Sequence, residues 1–591
     1  MSDENRVTAV GGSADSASGL GATMHDTRLE LLKKNFSPFK ILSYCVVIVF
    51  SFLALYPLSR IFLRLFYNDG AIDFSPWIAV FRLPDIGQLL LNTIIVVAVS
   101  GVISLALGLT MAWCNERTDA RVGIVTDALP LVPFLVPPIA GAAGWVLLLS
   151  DRGGLFNAFL RWLLSFVGID LVEGPLNIYS WPGLIFVYVM YSVPYVYMLV
   201  SAGLRNVASD LEEQSRLSGS GLFRTMRKVT IPAVIPSLGA SLLMLVWFGF
   251  ALFSVPAVIG GGAGIEVLSV RMVSLLTFTY PPETATAVGL GLIIVLAVGS
   301  AWALQIRILR SGRHAVVGGK GHKISRIELG RWKWAARSLI FGYIFVAAVM
   351  PMIGLLLVAF NGFWTPNIQW TNLNFGSFRE VLFEDGITIK AMRNSISLGI
   401  IGATIGITAA AILALFVQGS GKRVGRFVDG SIKFPASISS IVLAVGFTLA
   451  FSGAPFYLNG TFMILLLAYL ALYLPQASVA ADAAAAQVGS DLVEASRIAG
   501  AAGGRTFLRV SLPLMIAGLA AGWALLFVRM ISDLTVSAIL AGSNNPVVGF
   551  RILEIYESGS LASLAALSSL LTMVSMFVII VLLVFTRKSR T

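Results

Sequence analysis

Long apolar runs separated by short polar stretches set the pattern of this chain. Runs near 41–66, 88–113, 124–150, 181–205, 234–257 and 284–308 come first. A basic stretch follows, and then runs near 338–360, 394–418, 428–452, 461–480, 513–540 and 562–585. Each is close to the roughly 20 residues a helix needs to cross a bilayer core. Their interiors, such as Ile94 to Leu107 and Leu570 to Phe585, lack the apolar–polar alternation of an outer-membrane barrel. The pattern predicts an all-α polytopic membrane protein with about twelve transmembrane helices. Leu155 to Val167, in a polar interval, predicts a short interfacial helix.

The twelve runs fall into two halves in register. Asn92-Thr93 opens the second run and Asn394-Ser395 the eighth; Asp127 and Pro133 recur as Asp429 and Pro435, all 302 residues on. Pro194 in the fourth run recurs as Pro475 in the tenth, 281 residues on. The shorter offset reflects residues 151–181, an insert with only a short counterpart at 452–460. Six runs per half is an even number, so the halves point the same way, unlike inverted-repeat carriers. The expected organisation is a disordered cytoplasmic tail, 1–37, a first six-span half, 38–310, a basic cytoplasmic linker, 311–335, and a second six-span half, 336–591.

Composition agrees with this class and charge orients it. The chain is 57% hydrophobic and 12% charged, against roughly a quarter charged for a soluble domain. The net charge of +12 is gathered in the tail (Arg28, Lys33, Lys34, Lys40), around 216–228, across 307–337, at Lys422-Arg423-Arg426 and at the end. Basic loops stay cytoplasmic, and all of these fall on one side if both termini are inside. Charge divided among loops between spans does not make a nucleic-acid surface. The tail has no apolar h-region, so the first run reads as an uncleaved span of an inner-membrane protein rather than a signal peptide. Cys45 and Cys114 lie within spans and form no metal or redox motif; His25, His314 and His322 lie in the tail and linker.

One polar block occurs twice. It reads Glu213-Gln214-Ser215-Arg216-Leu217-Ser218-Gly219 with Val229-Thr230-Ile231-Pro232, and Glu494-Ala495-Ser496-Arg497-Ile498-Ala499-Gly500 with Val510-Ser511-Leu512-Pro513. Every position is repeated 281 residues on. Asp210 to Leu217 and Asp491 to Ile498 predict short surface helices capped by Ser209 and Ser490. Gly219 and Gly500 allow a sharp turn at positive φ, and Pro232 and Pro513 suit the first turn of the next span.

The block resembles the EAA motif of ABC importer permeases, with Gln214, Ser215 and Ser496 standing where the pattern has alanine. The resemblance covers about 40–310 and 335–587. It implies that each short helix couples to a groove of a separate ATP-hydrolysing subunit, with Glu213, Arg216, Gly219 and Pro232, and Glu494, Arg497, Gly500 and Pro513, forming the contact. Two copies imply two ATPase subunits per chain and a periplasmic solute-binding protein as further partner. No Walker A sequence is present; Gly419-Ser420-Gly421-Lys422-Arg423 lacks the upstream Gly and the hydroxyl residue after Lys. The chain is thus expected to be a transport subunit, not an enzyme, with no cofactor of its own; ATP and magnesium belong to the partner.

Charges within spans are costly and often functional. Arg529 and Asp533, four residues apart in the eleventh run, are expected to share a helix face, either as a self-neutralising pair or as lining of the translocation path. Their first-half equivalents are Phe248 and Leu252. The spans show no cluster of Tyr, His or carboxylates and no metal site along the chain. Two fused six-span halves resemble most the ferric-iron permeases, and also permeases for phosphonates, phosphorylated sugars or polyamines. An ion-coupled secondary carrier is the alternative of a different class.

Overall fold

The computed structural model describes residues 38–588 apart from 69–70, 122, 124–135, 207–208, 312–325, 487, 489 and 502. The tail, most of the linker with its histidines, and Asp127 and Pro133 lie outside the described residues. Among those described, nine helices are long and apolar enough to cross a membrane, or eleven counting two bent pairs. One two-residue ribbon, Tyr67–Asn68 against Ala71–Ile72, accompanies them. The protein is an all-α polytopic membrane protein with a duplicated architecture.

Two of the expected spans break at a proline. The ninth, 428–452, is two helices, Lys422–Lys433 and Ser440–Phe451, parted by a turn at Phe434–Ser437 that contains Pro435. Proline has no N–H to continue the ladder and clashes with the preceding turn. Ser440–Phe451 and its counterpart Pro138–Leu149 have 12 residues each, so each rises only about 18 Å at 1.5 Å per residue. The fifth span bends by 70° between Leu222–Ala233 and Ile235–Ala251, where Pro236 starts the second segment. The interfacial helix forms as Leu155–Ser165, with Phe159 and Trp162 exposed.

The apolar pattern does not predict the hairpin that follows the fifth span of each half. Pro256–Ala263 and Leu268–Thr277 meet at 97°, turning at Gly264 with φ 66°. In the second half Ser537–Leu540 precedes Val548–Glu557. Such broken backbone is tolerated at membrane depth only where protein satisfies it, and the repeated Asn-hydroxyl pairs do so. Asn92 Nδ2 donates to the Glu266 carbonyl at 3.0 Å and Thr93 Oγ1 accepts from Leu268 N–H at 3.0 Å. Asn394 Nδ2 donates to the Pro546 carbonyl at 2.9 Å and Ser395 Oγ accepts from Val548 N–H at 2.8 Å.

The halves exchange their first helices. Pro38–Phe66 packs on Ser440–Phe451, and Met350–Asn361 packs on Pro138–Leu149. Two glycines 302 residues apart make the approach close: a Cβ on Gly144 would lie 2.6 Å from the Pro351 carbonyl oxygen, and one on Gly446 would lie 3.0 Å from that of Pro57. Small residues are what let helix backbones meet in a membrane.

Candidate functional site

The two polar blocks fold alike. Ser209–Leu217 and Ser490–Ile498 are nine-residue helices. Each ends in a left-handed glycine, Gly219 at φ 81° and Gly500 at φ 80°. The turns close with Ser220 N–H donating to the Ser215 carbonyl and Ala501 N–H to that of Ser496, both at 3.1 Å, a Schellman-type cap. The serines that replace the pattern's alanines have a definite task. Ser215 Oγ lies 3.0 Å from Thr225 Oγ1, and Ser496 Oγ 3.0 Å from Thr506 Oγ1, so each short helix is bonded to the helix after the turn.

Glu213 and Glu494 are exposed and Arg216 is half-buried; the side chain of Arg497 lies outside the described residues. Leu217 and Ile498, one residue further on, are 82% and 88% exposed. An apolar tip on a short polar helix, matched in both halves, is a shape that fits a groove in another protein. Pro232 and Pro513 stand in the first turn of the helical segments Ile231–Ala233 and Leu512–Ile531, as expected. Each follows a π-helical turn, Met226–Thr230 and Phe507–Ser511, inside a longer helix. The widened turn takes up the missing N–H and the ring clash that proline brings.

Arg529 and Asp533 do not share a helix face. The helix Leu512–Ile531 stops two residues short, at Ser532 with φ −105° and ψ 6°, and Asp533 turns inward. Its Oδ1 accepts from Val536 and Ser537 N–H at 2.9 and 3.2 Å, and Oδ2 accepts from Tyr473 Oη at 2.9 Å. Asp533 is thus buried and caps the first helix of the hairpin. The Arg529 guanidinium donates to Tyr195 Oη, which belongs to the first half. The Tyr195 ring also packs on Phe248, with centroids 5.1 Å apart, and Phe248 is the residue equivalent to Arg529. The two equivalent positions therefore meet around one tyrosine.

Chain order hid the two tyrosines: only the fold brings Tyr195 to Arg529 and Tyr473 to Asp533. Likewise Glu212, beside the motif glutamate, proves buried while Glu213 points out. A helix of alternating exposure could have flagged it. Among the described residues no group of three or more His, Cys, Asp and Glu is placed to hold a metal.

Known proteins resemble this chain in sequence. The family described as binding-protein-dependent transport system inner membrane component matches residues 104–308 and again 402–588, more than half of the chain. A putative ferric transport system permease protein, FbpB 1, of Haemophilus influenzae is 24% identical over 511 residues, 84% of this chain and 76% of its own. The ferric transport system permease protein FbpB of Actinobacillus pleuropneumoniae is 21% identical over 527 residues, 87% of this chain and 73% of its own. A trehalose/maltose transport system permease protein, MalF, of Thermococcus litoralis is 31% identical over 179 residues, 29% of this chain and 57% of its own. A matched family unit in each half, on a duplicated all-helical membrane fold, makes the chain a member of the binding-protein-dependent transport system inner membrane components, carrying that unit twice.

Proposed function

We propose that this chain is the complete membrane-spanning pathway of an ABC importer, taking a solute from a periplasmic binding protein and driven by two cytoplasmic ATPase subunits. The observation that carries the reading is the pair of matched polar helices, with left-handed glycines and exposed apolar tips, inside a twice-matched permease family. Glu213, Arg216, Gly219 and Pro232, with Glu494, Arg497, Gly500 and Pro513, form the two coupling elements. ATP and magnesium bind on the partner subunits. Both termini and both coupling helices face the cytoplasm, which agrees with the one-sided basic loops; the two hairpins then enter from the periplasmic face. Ferric iron is the favoured cargo, supported by the two ferric permeases that match most of the chain. Partial likeness to a sugar permease keeps organic solutes as the second reading.

The test is uptake in proteoliposomes holding the permease, its ATPase and a loaded binding protein. Import is expected to need ATP and to persist when uncouplers collapse ion gradients. Import that follows the ion gradient and ignores ATP would establish a secondary carrier instead. Loading the binding protein with ferric iron, phosphonate, sugar phosphate or polyamine in turn identifies the cargo.

Arg529 belongs to the translocation path in this reading, while Asp533 supports the hairpin beside it. Arg529→Gln is expected to fold normally and to slow uptake about tenfold, since intramembrane charges commonly mark a substrate route. Asp533→Leu should instead lower the yield of folded protein, because it strips two backbone donors and a buried hydroxyl of their acceptor. Full uptake by a well-folded Arg529→Gln protein would remove Arg529 from the path.

A further inference from the structure

At the end of the helix Ile86–Arg117 the chain forms a corner where four separate segments meet. Arg117 and Glu212 lie 3.4 Å apart with side chains only 2% and 4% exposed. The Arg117 guanidinium also donates to the Leu204 carbonyl at 2.9 Å, at the end of the fourth span. Glu212 sits in the first polar helix and accepts from Thr230 Oγ1, beyond the glycine turn, at 2.7 Å. Beside them buried Glu116 pairs with Arg205 at 2.8 Å.

The other side of the corner holds the incoming second half. Ile327 N–H donates to the Arg117 carbonyl at 2.8 Å, and Asp119 N–H donates to the Ile327 carbonyl at 3.1 Å. Asp119 Oδ1 accepts from Leu329 N–H at 3.1 Å, and its carboxylate lies 3.3 Å from Lys333 Nζ. Arg337 donates to the Ala120 carbonyl at 3.3 Å. Lys333 and Arg337 belong to Trp332–Ile344, the first helix of the second half. An unbroken series of polar contacts therefore joins the first polar helix to the opposite half.

The repeat does not carry this charge into the second half. The repeat offsets put Gln418, Gly419, Ala486 and Val493 where the first half has Glu116, Arg117, Arg205 and Glu212. Desolvating an ion pair is costly, and apolar side chains would hold the corner at least as firmly. What the pair adds is one fixed geometry between a docking helix and the body it must move.

We propose that the Glu116–Asp119 corner is a one-sided lever. Through Arg117 and Glu212 as positioning residues, it fastens the first coupling helix to the second half by a buried polar link, so that this docking site moves both halves through fixed bonds, whereas the segment after the second docking helix, Gly503–Thr506, meets the first half by packing on Pro38–Phe66. The proposal rests on the coupling reading above.

Amide exchange on the permease alone, in lipid nanodiscs without ATPase, tests the rigid connection. Residues 209–217 are expected to exchange about tenfold more slowly than 490–498, a difference within the range of local opening energies. Arg117→Leu with Glu212→Val should remove the difference and also speed exchange at 326–330. Equal rates in the native protein, or a variant effect confined to 209–217, would overturn the lever. In the full complex, Asp119→Asn with Lys333→Met cuts only the half-exposed end of the corner and spares the buried pair. Solute imported per ATP hydrolysed should fall about threefold or more, as coupling energies of this kind are small. Unchanged stoichiometry would overturn the proposal. No ATP-dependent import by the native complex would strike the coupling reading and leave the exchange result standing.

Discussion

Gly144→Leu is expected to yield almost no folded protein. The new Cβ would lie 2.6 Å from the Pro351 carbonyl oxygen and 2.8 Å from Pro351 Cβ, in the helix that crosses from the other half. The obstacle is backbone, so a rotamer change cannot relieve it, and the cost is about 3 kcal/mol, at the top of the usual overpacking range. That is a large part of a marginal stability of about 5–15 kcal/mol. Gly446→Leu should do the same against Pro57 and Ile61. Gly101→Leu serves as the control, because no atom lies within 4 Å of its would-be Cβ. Detergent-extracted yield and monodispersity are the measurements. Native yields from both Gly144→Leu and Gly446→Leu would disprove the close exchange of helices.

Gly500→Val and Gly219→Val should fold, yet each should lower uptake about tenfold, the effect of about 1.4 kcal/mol. A Cβ at either glycine meets nothing within 4 Å, so the penalty is torsional alone. The left-handed conformation costs an L-residue about 1–2 kcal/mol, and a β-branched one more. Relief of that strain would reorient the short helix and its exposed Leu217 or Ile498. Asparagine tolerates the left-handed region, so Gly500→Asn and Gly219→Asn should restore most of the activity. If valine and asparagine variants behave alike, the turn geometry has no part in coupling.

The parts of this protein that were legible in the sequence are those written locally. The glycine turns, the apolar helices and the repeated Asn92-Thr93 and Asn394-Ser395 pairs each depend on residue types at fixed spacing. The hairpins were not legible, because an apolar stretch such as 513–540 looks the same whether the helix continues or stops at Ile531. What ends it is Asp533 capping a second helix, a contact made by folding. The polar group around Arg529 was hidden for a related reason: Tyr195 lies 334 residues away. By contrast, the glycines at 144 and 446 share the 302 offset, so their pairing is written in the spacing of small residues.

Exchange of the first helices bears on partner choice. Each half covers the third span of the other, so neither presents a finished surface alone. In two separate chains the same geometry would let a half meet a second copy of itself. Here both halves are one polypeptide, and the local concentration of the correct mate is set by the tether rather than by expression level. Each half always faces the other and never its own twin. Under that guarantee a residue in one half can become a permanent counterpart to a different residue in the other. Arg529 beside Tyr195, with Phe248 in the mirrored place, is such a pairing.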